Sequence, residues 1–324
     1  MKNILIIQTA FIGDVILATP LIEQLRSQHP GAEISFLVRK GNEALLQNDP
    51  ELKEILIWDK TKTKYANLLR LVRIVRSKNF DTVINLQRFA ASGLITFYSG
   101  AKHKIGFRKN PFAFGYTVRK EHRIGNGTHE IQRNLSLISD NPKVIRPRII
   151  PGAEAENAVT PYCHKEFVCI APASVWYTKQ FPQSGWVDLC NHLPENSQVY
   201  LIGSREDLTL CEKIAADSQN KNIEVLAGKL SILESAALMA KAKMNYVNDS
   251  APLHLTSAMN APVRAVFCST VPDFGFGPVS DNSRVIEVEE DLYCRPCGLH
   301  GYKQCPEKHF RCAKKIKTTQ FFET

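Results

Sequence analysis

The stretch TAFIGDVILATP, residues 9–20, decides the fold of the first half of the chain. An apolar run, KNILIIQ at residues 2–8, precedes it, and a helical pattern over residues 15–31 follows it. A short apolar run joined by a tight loop to a helix is typical of the start of a βαβ unit. The stretch also raises a question, because Asp14 stands at the junction where a buried strand should end.

The same alternation continues through the first half of the chain. Short apolar runs separated by helical patterns indicate a parallel sheet that is buried on both faces. The predicted strands are residues 4–7, 34–38, 54–59 and 80–86, and the predicted helices are residues 15–31, 65–79 and 90–100.

The alternation stops in a proline-rich stretch, residues 142–161, and then starts again. The second series of strands, some with their loops, is predicted at residues 167–174, 198–204, 224–228, 244–249 and 263–269. We therefore predict two doubly wound α/β domains, residues 1–155 and 156–324, with a cleft between the carboxyl ends of their sheets.

The composition is that of a globular protein with an uneven charge. The 324 residues are 44% hydrophobic and 23% charged, and the net charge is +9. Residues 1–150 hold 24 Lys and Arg against 12 Asp and Glu, a net +12, and the rest hold 17 against 20, a net −3. We expect the basic half to meet an anionic partner, namely nucleic acid, a membrane surface or an acidic substrate. The alternative is a surface that is merely well solvated.

The start of the chain does not resemble a signal peptide, and no apolar run approaches the ~20 residues of a membrane span. Nine cysteines without an export signal favour a reducing compartment.

Two common nucleotide-binding motifs are missing from the sequence. Neither G-x-G-x-x-G after a strand nor G-x-x-x-x-G-K-[ST] occurs, which disfavours a nicotinamide dehydrogenase and a P-loop NTPase. Asp14 then has two interpretations that the spacing leaves open. It is either a carboxylate stabilised by a helix N-terminus or a general base at the mouth of the cleft.

Phosphate-binding elements follow three strands of the second half. Lys179, beside the hydroxyls of Ser174 and Thr178, can hold a phosphate as a point charge. Asp249 and Ser250 are predicted to cap a helix whose free N–H groups form an anion site, with His254 on its first turns. A third strand end offers Glu206 and Asp207, either as ribose-binding acids or as a helix N-cap.

Three motifs, taken in order, resemble glycosyltransferase family 9, the bacterial ADP-heptose:lipopolysaccharide heptosyltransferases. They are IGDVILATPLIEQLR (12–26), KQFP (179–182) and NDSAPLHLTSAMNAPV (248–263), and the last part of the chain resembles the heptosyltransferase II-like branch. The resemblance implies a GT-B fold of two Rossmann-like domains, with an acceptor on the first and a nucleotide sugar on the second. Phe181 stands where the family often has Trp. Ala251 replaces the usual Gly, which puts the donor sugar in question more than the reaction class.

The resemblance also implies a mechanism, an inverting single displacement from ADP-heptose that needs no metal or other cofactor. Asp14 matches the base that deprotonates the acceptor hydroxyl. The matching donor-site residues are Ser174, Thr178, Lys179, Glu206 or Asp207, Leu230 against adenine, Asp249, Ser250 and His254.

A basic segment, residues 102–123, is the predicted acceptor-binding region. The implied acceptor, the lipid A–Kdo inner core of lipopolysaccharide, carries carboxylates and phosphates. We expect the basic side chains of Lys102, Lys104, Arg108 and Lys109 to hold it, and Phe107, Phe112 and Phe114 to meet its apolar parts. A solvated basic loop is the alternative.

Four cysteines near the end of the chain, Cys294, Cys297, Cys305 and Cys312, leave two interpretations open. Cys294 and Cys297 have the spacing of a metal knuckle, which permits a structural zinc site with His300 and His309 nearby, whereas the second pair lacks that spacing. Free or redox-paired thiols are the other interpretation. The segment after them, residues 316–324, is expected to pack as a last helix on the first domain.

The leading hypothesis is an enzyme of lipopolysaccharide synthesis that works at the cytoplasmic face of the inner membrane, peripheral to it, without nucleic acid as a partner. One competitor is another GT-B transferase or an epimerase that uses a different nucleotide sugar. The other is a non-catalytic module that binds anionic polymers or a membrane surface.

Overall fold

The computed structural model describes residues 1–61 and 63–323 and divides the chain into two compact units. Unit 1 comprises residues 1–124 and 128–150, and unit 2 comprises residues 125–127 and 151–324. The division therefore falls at Ile150/Pro151 instead of the predicted 155/156. The reason is helix α6 (Gly152–Ala158), which packs against helix α9 (Ile232–Lys241), with Glu156 and Lys241 paired at 2.6 Å.

Unit 1 contains, within its described residues, one six-stranded parallel sheet in the order β3-β2-β1-β4-β5-β6. Its strands are β1 (Asn3–Ile7), β2 (Glu33–Arg39), β3 (Leu52–Trp58), β4 (Thr82–Asn85), β5 (His103–Phe107) and β6 (Val118–Lys120). Its α-helices are α1 (Ile12–Ile16), α2 (Pro20–Gln28), α3 (Lys64–Ser77), α4 (Ala90–Tyr98) and α5 (Glu130–Leu135).

Unit 2 repeats this architecture with the strand order β12-β11-β10-β7-β8-β9. Its strands are β7 (Phe167–Ala171), β8 (Gln198–Leu201), β9 (Ile223–Val225), β10 (Met244–Asn248), β11 (Val263–Phe267) and β12 (Ser283–Glu287). Besides α6 and α9, its α-helices are α7 (Gln183–His192), α8 (Leu208–Asp217), α10 (Ala251–Met259) and α11 (Arg311–Lys314).

The predicted first helix, residues 15–31, is two helices in the structure. Helix α1 ends at Ile16 and α2 begins at Pro20. Proline has no N–H to donate within a helix but is well suited to the first helical position, so Pro20 starts a new helix. Asp14 therefore lies on a five-residue helix of its own, directly after β1.

The C-terminal segment packs in unit 2, so the prediction that it returns to the first domain is wrong. Residues 318–321 form a short 3-10 helix, and the ring of Phe321 lies 5.8 Å from that of Phe181 and 5.7 Å from that of Tyr246. Trp186, which is fully buried, completes this aromatic core. Apolar burial favours this position, since each such ring removes a large apolar area from water. Thr324 lies outside the described residues.

Candidate active site

Asp14 caps the short helix on which it stands. It is the third residue of α1, and its Oδ2 accepts the backbone N–H of Phe11 at 3.1 Å. The carboxylate thus stabilises the helix start, as one of the two sequence interpretations predicts. The other role remains open to it, because one oxygen is enough for the cap and the side chain is only half-buried.

The surroundings of Asp14 raise its pKa to about 6. Burial is the largest cause and the negative charge of Glu130 the second, while the hydrogen bond from Phe11 and the positive charge of Arg88 oppose them. A carboxyl group with a pKa near neutrality is ionised above pH 6 and is still basic enough to accept a proton.

A buried ionic cluster holds Glu130 at the start of α5. Its carboxylate lies 3.0 Å from Nε2 of His122 and accepts Nε of Arg133 at 2.6 Å. Burial alone would raise the pKa of Glu130, but the hydrogen bonds and charges of His122 and Arg133 lower it overall. Glu130 therefore stays ionised and keeps a negative charge near Asp14. No sequence pattern indicated this cluster, because its members are polar residues in an irregular stretch.

The structure separates the four cations predicted to bind the acceptor. Arg108 and Lys109 follow the carboxyl end of β5, at the same edge of the sheet as Asp14 after β1. Lys102 precedes β5, and six residues of extended chain put it roughly 20 Å from Arg108. Lys104, near that end of the strand, lies over the ring of Phe97. Of the four, only Arg108 and Lys109 lie at the edge that carries Asp14, and acceptor binding by these cations stays a prediction.

Of the three aromatic residues predicted to meet the acceptor, the structure contradicts only Phe107. Phe107 is fully buried in unit 1 and has no surface to offer an acceptor. Phe112 and Phe114 pack with Phe97 at ring distances of 5.9 and 5.4 Å, and the side chain of Phe114 is 70% exposed.

Further cations and aromatic rings occupy the carboxyl edge of the first sheet without having been predicted. Arg39 ends β2 and lies 4.9 Å from the ring centroid of Phe11, which is largely exposed. Arg88 and the exposed Phe89 follow β4. Their position after strand ends was the available signal, because charge density alone pointed to residues 102–123 instead.

In unit 2, Lys179 and Asp249 meet directly. Nζ of Lys179 lies 2.7 Å from Oδ2 of Asp249, and that same oxygen accepts the hydroxyl of Thr270 at 2.6 Å. Asp249 was predicted to cap α10, but its carboxylate is engaged by these two side chains instead. The pair lies where β7 and β10, adjacent strands at the centre of the sheet, end together.

Asn248, the last residue of β10, fixes the loop that carries Lys179. Its side-chain amide donates to the carbonyl of Pro172 at 2.7 Å and its Oδ1 accepts the N–H of Phe181 at 2.9 Å. Asn248 is fully buried, so these bonds replace those that water would provide. The Lys179 loop is thereby tied to the strand that leads to Asp249.

The N-terminus of α10 offers fewer donors than the sequence predicted. Ser250 is the N-cap residue, and its hydroxyl bonds to the carbonyls of Ala173 and Asn248 at 3.4 Å instead of capping the helix. Pro252 has no N–H, and the N–H of Leu253 already bonds to the carbonyl of Ser250 at 3.1 Å. Of the predicted backbone donors, those of Ser250 and Ala251 remain for an anion. The side chain of His254 is buried within α10.

Thr178 has a structural task that the sequence did not suggest. It is 1% exposed, and its Oγ1 accepts the N–H of Tyr302 at 2.7 Å and the hydroxyl of Ser269 at 3.1 Å. The hydroxyl predicted to touch a phosphate is therefore turned inward. Ser174 is half-buried, and its carbonyl accepts the side-chain amide of Gln180.

The structure distinguishes the two acids that follow β8. Asp207 forms a capping box, since its Oδ2 accepts both the N–H and the hydroxyl of Ser204 at 2.8 Å. Glu206 is exposed, and a hydrogen bond from Ser204 lowers its pKa. Glu206 thus has the more accessible carboxylate. Leu230 lies half-buried in the turn between β9 and α9.

The cysteine-rich segment is not arranged as a metal centre. Among residues 1–61 and 63–323, no three His, Cys, Asp or Glu side chains meet closely enough to hold a metal ion. Sγ of Cys294 lies 3.9 Å from Nε2 of His309, and burial raises the pKa of Cys312 to about 11. The four cysteines are free thiols in this structure, and the zinc site stays a prediction.

None of the helices in the described part of the chain is both long and apolar enough to cross a membrane.

Two consecutive units, each built on a six-stranded parallel sheet, form the architecture of the GT-B glycosyltransferases. Comparison with protein families narrows this class. The model of glycosyltransferase family 9 (heptosyltransferase) matches residues 68–309, and the chain belongs to that family. The resemblance found in the sequence is confirmed, as is the predicted α/β fold.

Similar proteins agree with this assignment. Lipopolysaccharide heptosyltransferase 3 of Escherichia coli K12 is 28% identical over 282 residues, which cover 80% of each chain. The structure of E. coli ADP-heptose LPS heptosyltransferase II matches with a TM-score of 0.79 and 21% identity over 100% of both chains. The E. coli heptosyltransferase WaaC, solved with ADP, matches with a TM-score of 0.71 and 20% identity over 88% of this chain and 92% of that one.

Proposed function

We propose that the protein transfers a heptose from ADP-heptose to the inner core of lipopolysaccharide. The observation that carries the proposal is the Lys179–Asp249 pair beside the start of α10, in a chain of this family. A fixed cation next to helix N–H groups suits a diphosphate. Relatives named as lipopolysaccharide heptosyltransferases, and a similar structure solved with ADP, support the choice of donor and acceptor.

The proposed reaction is an inverting single displacement. Asp14 takes the proton of an acceptor hydroxyl while its oxygen bonds to the anomeric carbon of the heptose. The bond from that carbon to the β-phosphate oxygen breaks, and ADP leaves with the electron pair. Lys179 and the N–H groups of Ser250 and Ala251 stabilise the negative charge that grows on ADP, so the step needs no divalent cation.

The remaining contacts are assigned from the position and exposure of the side chains. Glu206 accepts hydrogen bonds from the ribose hydroxyls, since the carboxylate of Asp207 is engaged in its capping box. Leu230 packs on adenine. On unit 1, Arg88, Arg108 and Lys109 hold the anionic groups of the acceptor, because they lie at the strand edge that also carries Asp14.

A transfer assay tests this function. Purified protein with ADP-heptose and a lipid A–Kdo acceptor is expected to release ADP and to add one heptose to the acceptor mass, equally well with EDTA. Calorimetry should show selective binding of ADP over UDP, GDP and NAD. Selective binding of UDP or GDP would mean that the donor is a UDP- or GDP-sugar instead of ADP-heptose. Conversion of a nucleotide sugar in the absence of an acceptor would favour an epimerase. Salt-sensitive nucleic-acid binding without ADP affinity would contradict enzymatic function.

We also infer that the enzyme works at the cytoplasmic face of the inner membrane and that α3 contacts the lipid. Tyr65 is 78% exposed and Leu69 56% exposed on this helix. At 100° per residue they share an arc of roughly 80° with the exposed Arg73 and Arg76. Apolar side chains beside arginines suit an anionic membrane surface, where the Tyr65 ring and the Leu69 side chain enter the interface and the guanidinium groups meet phosphates.

Vesicle binding tests the lipid contact. The double variant Arg73→Glu/Arg76→Glu is expected to lose most of its cosedimentation with vesicles that contain phosphatidylglycerol, while its ADP binding is unchanged. The charge-matched control is Lys213→Glu/Lys221→Glu, which alters two exposed lysines of unit 2. Equal loss in both double variants would indicate attraction by net charge alone and contradict a specific face.

A further inference from the structure

The cysteine-rich segment, residues 294–312, contacts the residue next to the proposed phosphate-binding lysine. Thr178 N–H donates to the carbonyl of Tyr302 at 3.1 Å, and Tyr302 N–H donates to Thr178 Oγ1 at 2.7 Å. Thr178 and Lys179 belong to one short 3-10 helix, Tyr177–Lys179. The segment is thus bonded to the turn that carries Lys179, more than 120 residues earlier in the chain.

Gly301 lies against the side chain of Lys179 itself. A Cβ on Gly301 would come within 2.9 Å of Thr178 Oγ1, 3.0 Å of Lys179 Cγ and 3.2 Å of Trp176 Cβ. The φ of Gly301 is +78°, a conformation that favours glycine. The Cα of Gly301 therefore packs close to the aliphatic part of Lys179, and a Cβ at position 301 would push against both the Thr178 hydroxyl and that side chain.

The other end of the segment is tied to the partner of Lys179. Arg295 donates to the carbonyls of Cys268 and Thr270 at 2.8 Å, and Cys297 N–H donates to the carbonyl of Ser269 at 2.8 Å. These carbonyls belong to the loop after β11. Thr270 in this loop holds Asp249 through its hydroxyl, at 2.6 Å.

The segment therefore contacts Lys179 directly and is linked to Asp249 through the loop that contains Thr270. At one end it limits where the Lys179 stem can lie, and at the other it orders the loop that orients Asp249. A lysine side chain loses conformational entropy when it is fixed, so fixing it before the ligand arrives favours binding.

We propose that residues 295–302 position Lys179 and Asp249 for the diphosphate of the donor. Gly301 and Arg295 are positioning residues that act through the ion pair. The inference rests on the proposed role of Lys179 and gives the cysteine-rich segment a task in donor binding.

Gly301→Ala tests the inference. ADP is expected to bind at least about tenfold more weakly, because the new methyl group pushes against Thr178 and Lys179 and shifts the lysine side chain. Adenosine, which has no phosphate, should keep its affinity as a competitor. The matched control is Gly31→Ala in unit 1, which carries the same left-handed strain at φ +83° but whose Cβ meets nothing within 4 Å.

A double-variant cycle separates positioning from general damage. In the Lys179→Ala background, Gly301→Ala should weaken ADP binding no further, because the side chain through which it acts is gone. Equal losses in Gly31→Ala and Gly301→Ala, or an equal loss for adenosine, would overturn the inference. Unchanged ADP affinity in Lys179→Ala would instead refute the proposed phosphate site, so the two failures are distinguishable.

A second pair of variants tests the same inference without a substitution at Gly301, which could prevent folding. Thr178→Val removes the hydroxyl that binds Tyr302 and Ser269 but keeps the shape of the side chain, whereas Thr178→Ser keeps the hydroxyl. The expected result is weaker ADP binding in the valine variant, unchanged adenosine affinity, and recovery in the serine variant. Equal ADP affinity in both would overturn the inference.

Discussion

Asp14→Asn is expected to lower turnover by about 10²- to 10⁴-fold, the usual contribution of a general base, while ADP affinity stays the same. The amide oxygen of Asn can still accept the Phe11 N–H, so the start of α1 is kept and only the proton-accepting group is lost. Steady-state rates and calorimetry on the same preparation check this. The control is Glu23→Gln, which removes an exposed carboxylate from the neighbouring helix α2. Near-normal turnover in Asp14→Asn would contradict the assignment of the base.

The same substitution is expected to stabilise the fold at neutral pH. The pKa of Asp14 is raised to about 6, so ionisation of this carboxylate costs folding free energy above that pH. Asn avoids this cost, and the gain should be about 1–3 kcal/mol at pH 8. It should grow between about pH 4 and pH 6 and vanish below pH 4, where Asp14 is protonated in both the folded and the unfolded chain. Thermal unfolding of both forms at pH 4, 6 and 8 measures the difference. A loss of activity with a gain in stability would distinguish a strained functional group from a structural cap.

The pH dependence of the wild-type enzyme gives an independent check on Asp14. The value of kcat/KM should rise with pH as the carboxyl loses its proton, with an apparent pKa near 6. Glu130→Gln should move this limb to lower pH, since the negative charge of Glu130 is one of the causes that raise the pKa of Asp14.

The apolar runs located the strand ends correctly because parallel sheets bury both faces, and buried strands read as short apolar runs. That pattern placed Asp14 after β1, Lys179 after β7 and Asp249 after β10. The roles of the polar residues after each strand were harder to assign. An acid before a helix is equally compatible with an N-cap and with an ion pair, so Asp249 was expected to cap α10, whereas Asp207 does cap its helix.

Contacts between residues far apart in the chain were not predictable from local patterns. Thr270 lies 21 residues from Asp249, and Tyr302 lies 124 residues from Thr178, yet both are bonded in unit 2. The prediction of the acceptor-binding segment had a similar weakness. It rested on charge density and grouped Lys102 with Arg108, although strand β5 lies between them. Composition reports how much charge a segment carries, but the direction of the strand decides which charges share an edge.

Lys179→Ala is expected to raise the Kd for ADP by about 10- to 100-fold, the loss of one charge-assisted hydrogen bond. The alanine removes the cation and also leaves the carboxylate of Asp249 without its 2.7 Å partner, facing an incoming diphosphate. Calorimetry with ADP and adenosine should show the loss for ADP alone. The control is Lys243→Ala, since Lys243 precedes β10 and therefore lies at the opposite edge of the same sheet.

The double variant Lys179→Ala/Asp249→Asn shows which part of the loss comes from repulsion. If the diphosphate lies beside this pair, neutralising Asp249 should recover part of the ADP affinity that Lys179→Ala loses, because two like charges no longer face each other. If the diphosphate binds elsewhere, the second substitution should change nothing or weaken binding further through the loss of the bond to Thr270. Recovery would therefore place the charge of the leaving group next to Lys179, where the mechanism requires a cation to stabilise it.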